Sequence, residues 1–307
     1  MHGSPKAERS TAYLLLAVLA VVWGSSFILM KRGLETYTPF QVGAIRISVA
    51  FLCMLPFLIF RVKNIPKDRW KYLAAVGILG NGIPAVLFPL AETQLSSALA
   101  GMLNSLTPLF TFIVGISLFK MRFTQNRLAG LIIGLIGAGL LVAGKQSGHA
   151  ESNVVFASLI ILATIFYGFS VNIMRNKLAG LDAVTITAGA LLCSGVPMLI
   201  CLFSTDFMHR IVTISGAPKS FIYVLILGAM GTAFSTILFV RLVKISGALL
   251  AASVTYLIPI VAVGWGFIDG ESLSAIHIVA LAAILMGVYL INKTAAIDIT
   301  KGKKGIN

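Results

Sequence analysis

Long apolar runs, interrupted at intervals by short polar or turn-forming stretches, dominate this chain. Ten of them cover about 11–30, 40–60, 70–91, 96–119, 128–144, 154–174, 183–204, 220–240, 247–268 and 274–292. Each is near the ~20 residues that a helix needs to cross the hydrocarbon core of a bilayer. The pattern predicts an all-α integral membrane protein of ten transmembrane helices. The first run follows a short tail with Lys6 and Arg9, but nine further spans come after it, so it reads as a retained helix rather than a cleaved signal.

The pattern also repeats. At a constant offset of 151, Tyr72 meets Tyr223, Gly77 meets Gly228, Gly80 meets Gly231, Leu87–Phe88 meets Leu238–Phe239, Leu99–Ala100 meets Leu250–Ala251, Pro108 meets Pro259 and Gly115 meets Gly266. The first helix needs an offset of 144, which brings Trp23–Gly24 onto Tyr167–Gly168, Lys31 onto Arg175 and Leu34 onto Leu178. The chain therefore divides into a tail at 1–10, a five-helix unit at 11–144, a second unit at 154–292 and a basic tail at 293–307. Five is odd, so the second copy is expected to insert upside down around a central cavity. Inverted repeats of this kind serve transporters, whose two halves exchange conformations around one site.

Composition sharpens the picture. Only 11% of the 307 residues are charged and 58% are hydrophobic, against about 25% charged in a soluble domain. Ten spans use roughly 200 residues, which excludes a separate soluble catalytic domain. The net charge of +14 would suggest nucleic acid on a soluble protein. Here it sorts by loop: with the amino terminus inside, 18 of the 24 bases fall on cytoplasmic segments, five on outer ones, and Arg46 lies within a span. That bias predicts a multi-pass inner-membrane protein with both termini cytoplasmic and no nucleic-acid partner. Lys31 and Arg32, on the outer side, run against it. Cys53, Cys193 and Cys201 read as packing thiols, the four histidines lack ligand spacing, and neither a metal nor a cofactor is implied.

The stretch Val22-Trp23-Gly24-Ser25-Ser26-Phe27 resembles the EamA branch of the drug/metabolite transporter superfamily. So do Arg46, the run from Ser97 to Pro108, its copy from Ala248 to Pro259, and Asp269-Gly270-Glu271. The resemblance covers about Leu14 to Asn292 and implies a ten-helix exporter of amino acids or related metabolites. It also implies that helices one to four and six to nine surround the cavity, with five and ten at the side. One departure stands out: many relatives carry an acidic residue after helix four, where this chain has Lys120, while the second copy keeps Glu271.

Polar groups are costly in lipid and tend to face protein or a water-filled path. Asn81, Asn104, Asn172, Thr232, Ser235 and Thr255 are candidate substrate contacts on that ground, each with a helix–helix hydrogen bond as the alternative. Trp23, Tyr167 and Tyr256 offer an apolar face with one polar tip, suited to a zwitterion with a hydrophobic side chain. Gly24, Gly168, Pro84, Pro108 and Pro259 are candidate gating or hinge positions, the prolines because they remove backbone hydrogen bonds. Arg46 either pairs with Glu35 or Glu92 or reaches the interface, or it grips a substrate carboxylate through two hydrogen bonds.

All ten acids fall in tails, loops or span ends, which argues for facilitated export or exchange rather than obligatory proton antiport. Gly130, Gly134, Gly137 and Gly139 present a smooth face for close packing, within a monomer or between the subunits of a homodimer. The leading expectation is a secondary exporter of small molecules working by alternating access. A channel-like or uniporter permease for another metabolite or drug is the alternative. An integral-membrane enzyme would need paired carboxylates or a metal cluster near one interface, and an assembly subunit would tolerate changes at Asn81 or Asn104.

Overall fold

The computed structural model describes residues 5–119, 125–143, 150–239, 241–242 and 254–304. Among them all regular structure is helical. In chain order the apolar stretches are α1 (Thr11–Leu34), α2 (Pro39–Arg61), α3 (Lys67–Glu92), α4 (Ser97–Phe119), α5 (Leu128–Leu141), α6 (Val154–Lys177), α7 (Ala183–Phe203), α8 (Ala217–Phe239), α9 (Val254–Ile268) and α10 (Ala275–Leu290). Seven are long and apolar enough to cross a membrane, and α5, α9 and α10 are shorter. The protein is thus a multi-pass helical membrane protein. Lys120, the segment 247–253 and the extreme chain ends lie outside the described residues.

Local chemistry explains where helices begin. Thr38 Oγ1 accepts from the Gln41 N–H while Gln41 Oε1 accepts from the Thr38 N–H, a reciprocal cap with Pro39 in the first turn of α2. Gln41 also donates to Asp206 at 2.7 Å, tying α2 to the segment after α7. Asp182 caps α7 by accepting from the N–H groups of Val184 and Thr185, and Arg61 at the end of α2 pairs with it at 2.6 Å. Burial pushes the Asp182 carboxyl up, but these hydrogen bonds and Arg61 hold it below the ordinary aspartate value.

Packing follows small residues. Helix α5 lies along α10, α2 along α7, α1 against α8 and α9, and α6 against α3 and α4. Helix α3 also meets α7, and α2 also meets α8. A Cβ on Gly137 would stand 2.8 Å from the Ala280 carbonyl oxygen, and one on Gly287 would stand 2.6 Å from the Gly134 nitrogen. Backbone meets backbone along that seam, which only residues without side chains allow. The glycine stripe of α5 therefore packs within one chain, although Gly139 faces open space. Cys53 and Cys201 are exposed rather than packed.

Several helices depart from regular α geometry. Helix α1 is interrupted at Ser25, between the helical segments Pro5–Gly24, which starts ahead of the apolar span, and Ser26–Leu34. Helix α4 comprises Ser97–Asn104 and Thr107–Phe119, so Pro108 enters the second segment just after the break. Helix α3 carries a π turn at Ile78–Gly82, immediately before Pro84. Helix α8 carries another at Ala229–Phe234. Such turns replace i→i−4 bonds with i→i−5 bonds and cluster at functional sites. Pro259 sits inside α9, and Gly168 lies within the continuous helix Ala150–Lys177.

Candidate functional site

The π turn of α8 draws candidate residues together. Trp23 Nε1 donates to Ser235 Oγ at 2.9 Å and to the Gly231 carbonyl at 3.2 Å, and its ring lies 5.2 Å from that of Phe239. One residue further along the turn, Thr232 Oγ1 accepts from Arg46 Nε at 2.9 Å. Trp23, Arg46, Thr232 and Ser235 thus converge from α1, α2 and α8. Arg46 Nη1 also lies 3.9 Å from Met30 Sδ. Tyr167 of α6 stacks on Phe88 at 6.0 Å between ring centroids, and Phe88 lies 5.9 Å from Phe27.

The pairing of Arg46 with Glu35 or Glu92 does not form. Glu35 binds Arg32 at 2.7 Å, and both Glu92 carboxyl oxygens are buried without a hydrogen-bond partner among the described residues. The reason for the first is proximity, since Arg32 and Glu35 lie one helical turn apart at the end of α1.

Other candidates lie elsewhere. The Asn172 amide donates to the Thr111 carbonyl at 2.9 Å and to the Gly168 carbonyl at 2.8 Å, fastening α6 to α4. Asn81, on the π turn of α3, and Asn104, at the break in α4, are half-buried. Tyr256 lines a cavity of about 360 Å³ with Ala282, Leu285, Met286 and Tyr289, between α9 and α10 and apart from Arg46. Thr255 neighbours it in sequence and is half-buried. Gly24 and Gly168 act at crossings: a Cβ on Gly24 would meet the Ile258 carbonyl at 2.9 Å, and one on Gly168 would meet the Thr111 nitrogen at 2.9 Å.

Sequence reasoning missed an ion cluster at the end of the bundle where α1 and α9 finish. Lys31 Nζ contacts Asp269 Oδ2 at 2.5 Å and Glu271 Oε1 at 2.8 Å, and Arg32 pairs with Asp269 as well as Glu35. Glu271 further accepts from the Ser97 N–H at 3.0 Å, the Ser97 hydroxyl at 2.8 Å and the Ala98 N–H at 3.0 Å, which places it on the first turn of α4. Gly270, at φ 77°, makes the corner that turns Glu271 inward. Burial pushes the Glu271 carboxyl up, yet Lys31, Ala98 and Ser97 together hold it below the ordinary glutamate value. A signal was present in the sequence: two bases sat where the charge bias wanted none, and two acids followed the ninth span. Nearby, Ser25, Ile28, Arg32, Tyr223, Trp265 and Asp269 help to line a cavity of about 280 Å³.

Comparison with known proteins agrees with this architecture. The pattern of the EamA-like transporter family matches twice, over residues 10–143 and 155–293. An Escherichia coli K12 protein named uncharacterized inner membrane transporter YedA is 30% identical, the match covering 90% of this chain and 89% of that protein. A Salmonella typhimurium protein named probable amino-acid metabolite efflux pump is 26% identical over 92% of this chain and 95% of its own length. A chain of known crystal structure shares the fold with a TM-score of 0.62 at 17% identity, covering 92% of this chain and 96% of that one. Spanning both halves of the helical bundle, these similarities establish that the chain belongs to the EamA-like transporter family.

Proposed function

We propose that this protein is a secondary exporter of small metabolites, amino acids or related compounds, working by alternating access between two inverted five-helix repeats, 11–144 and 154–292. It acts as a facilitator or exchanger in the inner membrane, with both termini cytoplasmic. The reciprocity of the helix packing carries this reading. When each helix is exchanged for the one five places along, α1·α9 becomes α6·α4, α1·α8 becomes α6·α3, and α2·α8 becomes α7·α3, while α2·α7 and α5·α10 map onto themselves.

The correspondence extends to single contacts. Gly77 approaches the Ala190 carbonyl as Gly228 approaches the Arg46 carbonyl, and Gly80 faces the Ser170 hydroxyl as Gly231 faces the Ser26 hydroxyl. The π turns begin at Ile78 and Ala229, separated by the same 151 residues that align the two halves. These contacts favour a pseudo-two-fold axis passing between α2 and α7 and between α5 and α10. With five spans per repeat, that axis lies in the membrane plane.

Alternation also needs an end that opens and closes. The pairs of Lys31 and Arg32 with Asp269 and Glu271 hold α1, the loop after α9 and the start of α4 together at what is then the outer face. Partly exposed ion pairs contribute only about 0–1 kcal/mol each, so such a closure is reversible on a transport cycle. Amino acids as cargo are supported by the printed name of the Salmonella relative.

Counterflow tests the proposal. Proteoliposomes preloaded with an unlabelled amino acid are expected to accumulate the labelled form transiently above its external concentration, because a carrier couples the two movements. Equilibration without overshoot would favour the channel-like alternative.

A further inference from the structure

We propose that the start of α3 and the end of α6 form a site for the headgroup phosphate of an anionic phospholipid, with Lys71 and Lys177 as its ligands. Lys71 Nζ stands 5.1 Å from the centre of the Tyr72 ring and Lys177 Nζ stands 5.9 Å from the same point. Two ammonium groups from different helices therefore share one aromatic ring. Arg69 donates to the Lys177 carbonyl, which caps the end of α6 and brings a third base to the same corner. Trp70 and Tyr72 pack against a buried cluster that includes Ile65, Leu73 and Leu178, so the bases are carried by two spans. Trp and Tyr in such positions mark the level of the lipid headgroups.

Like charges gathered this closely call for an anion, and the chain does not supply one. Asp68 pairs with Arg69 at 3.3 Å and Asp182 pairs with Arg61 at 2.6 Å. With the amino terminus inside, no other acid lies in the cytoplasmic loops that join the spans. Lys71 and Lys177 are exposed, and neither makes an ion pair among the described residues.

The opposite end of the bundle holds the acids that this one lacks. There Tyr223, which the repeat aligns with Tyr72, lines a cavity together with Arg32 and Asp269. Lys31, aligned with Arg175, contacts Asp269 and Glu271. In the first repeat, Leu118 and Lys120 fall where Asp269 and Glu271 stand in the second. One end thus neutralises its own bases, and the other leaves them to the bilayer. A phospholipid phosphate offers charged oxygens to ammonium donors and is abundant where juxtamembrane bases lie. On the exporter reading above, it completes the inner closure as Glu271 completes the outer one.

The test titrates delipidated full-length protein in detergent with phosphatidylglycerol or phosphatidylcholine and counts retained lipid by native mass spectrometry. Phosphatidylglycerol should be retained in preference. Lys71→Gln with Lys177→Gln should weaken its retention roughly thirtyfold, for two bases worth about 1 kcal/mol each at an anionic surface. Lys71→Arg with Lys177→Arg should keep it, and so should Lys63→Gln with Lys67→Gln, a pair of exposed bases on the same side. Inorganic phosphate at constant ionic strength should not displace the lipid. In proteoliposomes, phosphatidylglycerol should speed counterflow by wild type and leave the Lys71→Gln, Lys177→Gln protein unaffected.

Equal retention of the two lipids overturns the site. Equal loss from the two glutamine pairs overturns it as well, and assigns the attraction to the basic face as a whole. Displacement by inorganic phosphate overturns the lipid and makes a free anion the ligand. Selective retention with counterflow indifferent to phosphatidylglycerol overturns the part in closure. Selective retention without counterflow in any lipid overturns the exporter reading and leaves the lipid site standing.

Discussion

Asn172 and Glu271 show how the same kind of signal, a polar side chain in an apolar chain, resolves into different roles. The Asn172 amide is consumed by two backbone carbonyls on α4 and α6. Asn172→Ala should lower stability by about 1 kcal/mol, the net value of a neutral buried hydrogen bond, with the apparent KM for transport unchanged. Thermal unfolding in detergent together with exchange kinetics checks this. Glu271 makes the larger, pH-dependent contribution. Its carboxyl sits below the ordinary value because burial is outweighed by Lys31, Ala98 and Ser97. Its stabilisation is therefore fully present above the unfolded-state value and is lost as pH falls through the lower folded one. Glu271→Gln should cost about 1–2 kcal/mol at neutral pH, between exposed and buried pairs, and the difference in unfolding midpoint from wild type should vanish in acid. The partners of Glu271 lie 174 and 240 residues away in the chain, so composition could mark Lys31 and Arg32 as anomalous without naming what neutralises them.

The helices were legible as runs because lipid, as a solvent, demands continuous apolar side chains and internally paired backbone. Their breaks were partly legible. Pro84 and Pro108 mark irregularities in α3 and α4, but the π turn of α8 contains no proline, and the separation of α1 falls at Ser25 beside the predicted hinge Gly24. The glycine stripe of α5 was readable as a packing face, whereas its partner was not, because the seam with α10 depends on Gly287 in the other half. A pair of substitutions tests that seam. Gly287→Ala should destabilise by about 1–3 kcal/mol, the usual cost of overpacking, seen as a lower unfolding midpoint and less monodisperse protein. Gly139→Ala meets nothing within 4 Å and should leave both unchanged.

At the scale of the whole molecule, the packing of α1 on α8 and α9 and of α2 on α8 has counterparts in that of α6 on α3 and α4 and of α7 on α3, and one end of the bundle carries a charged closure. Lys31 and Glu271 join α1 to the segment after α9 at 2.8 Å. The inverted-repeat account makes that contact part of the transport cycle: it must open once per turnover. The direct measurement replaces Cys53, Cys193 and Cys201, introduces Lys31→Cys with Glu271→Cys, and follows amino-acid exchange in proteoliposomes before and after bridging by a short, reducible bifunctional thiol reagent. Exchange should stop on cross-linking and return on reduction, while the unbridged double variant keeps exchanging. Undiminished exchange by fully cross-linked protein would contradict alternating access through this end of the bundle.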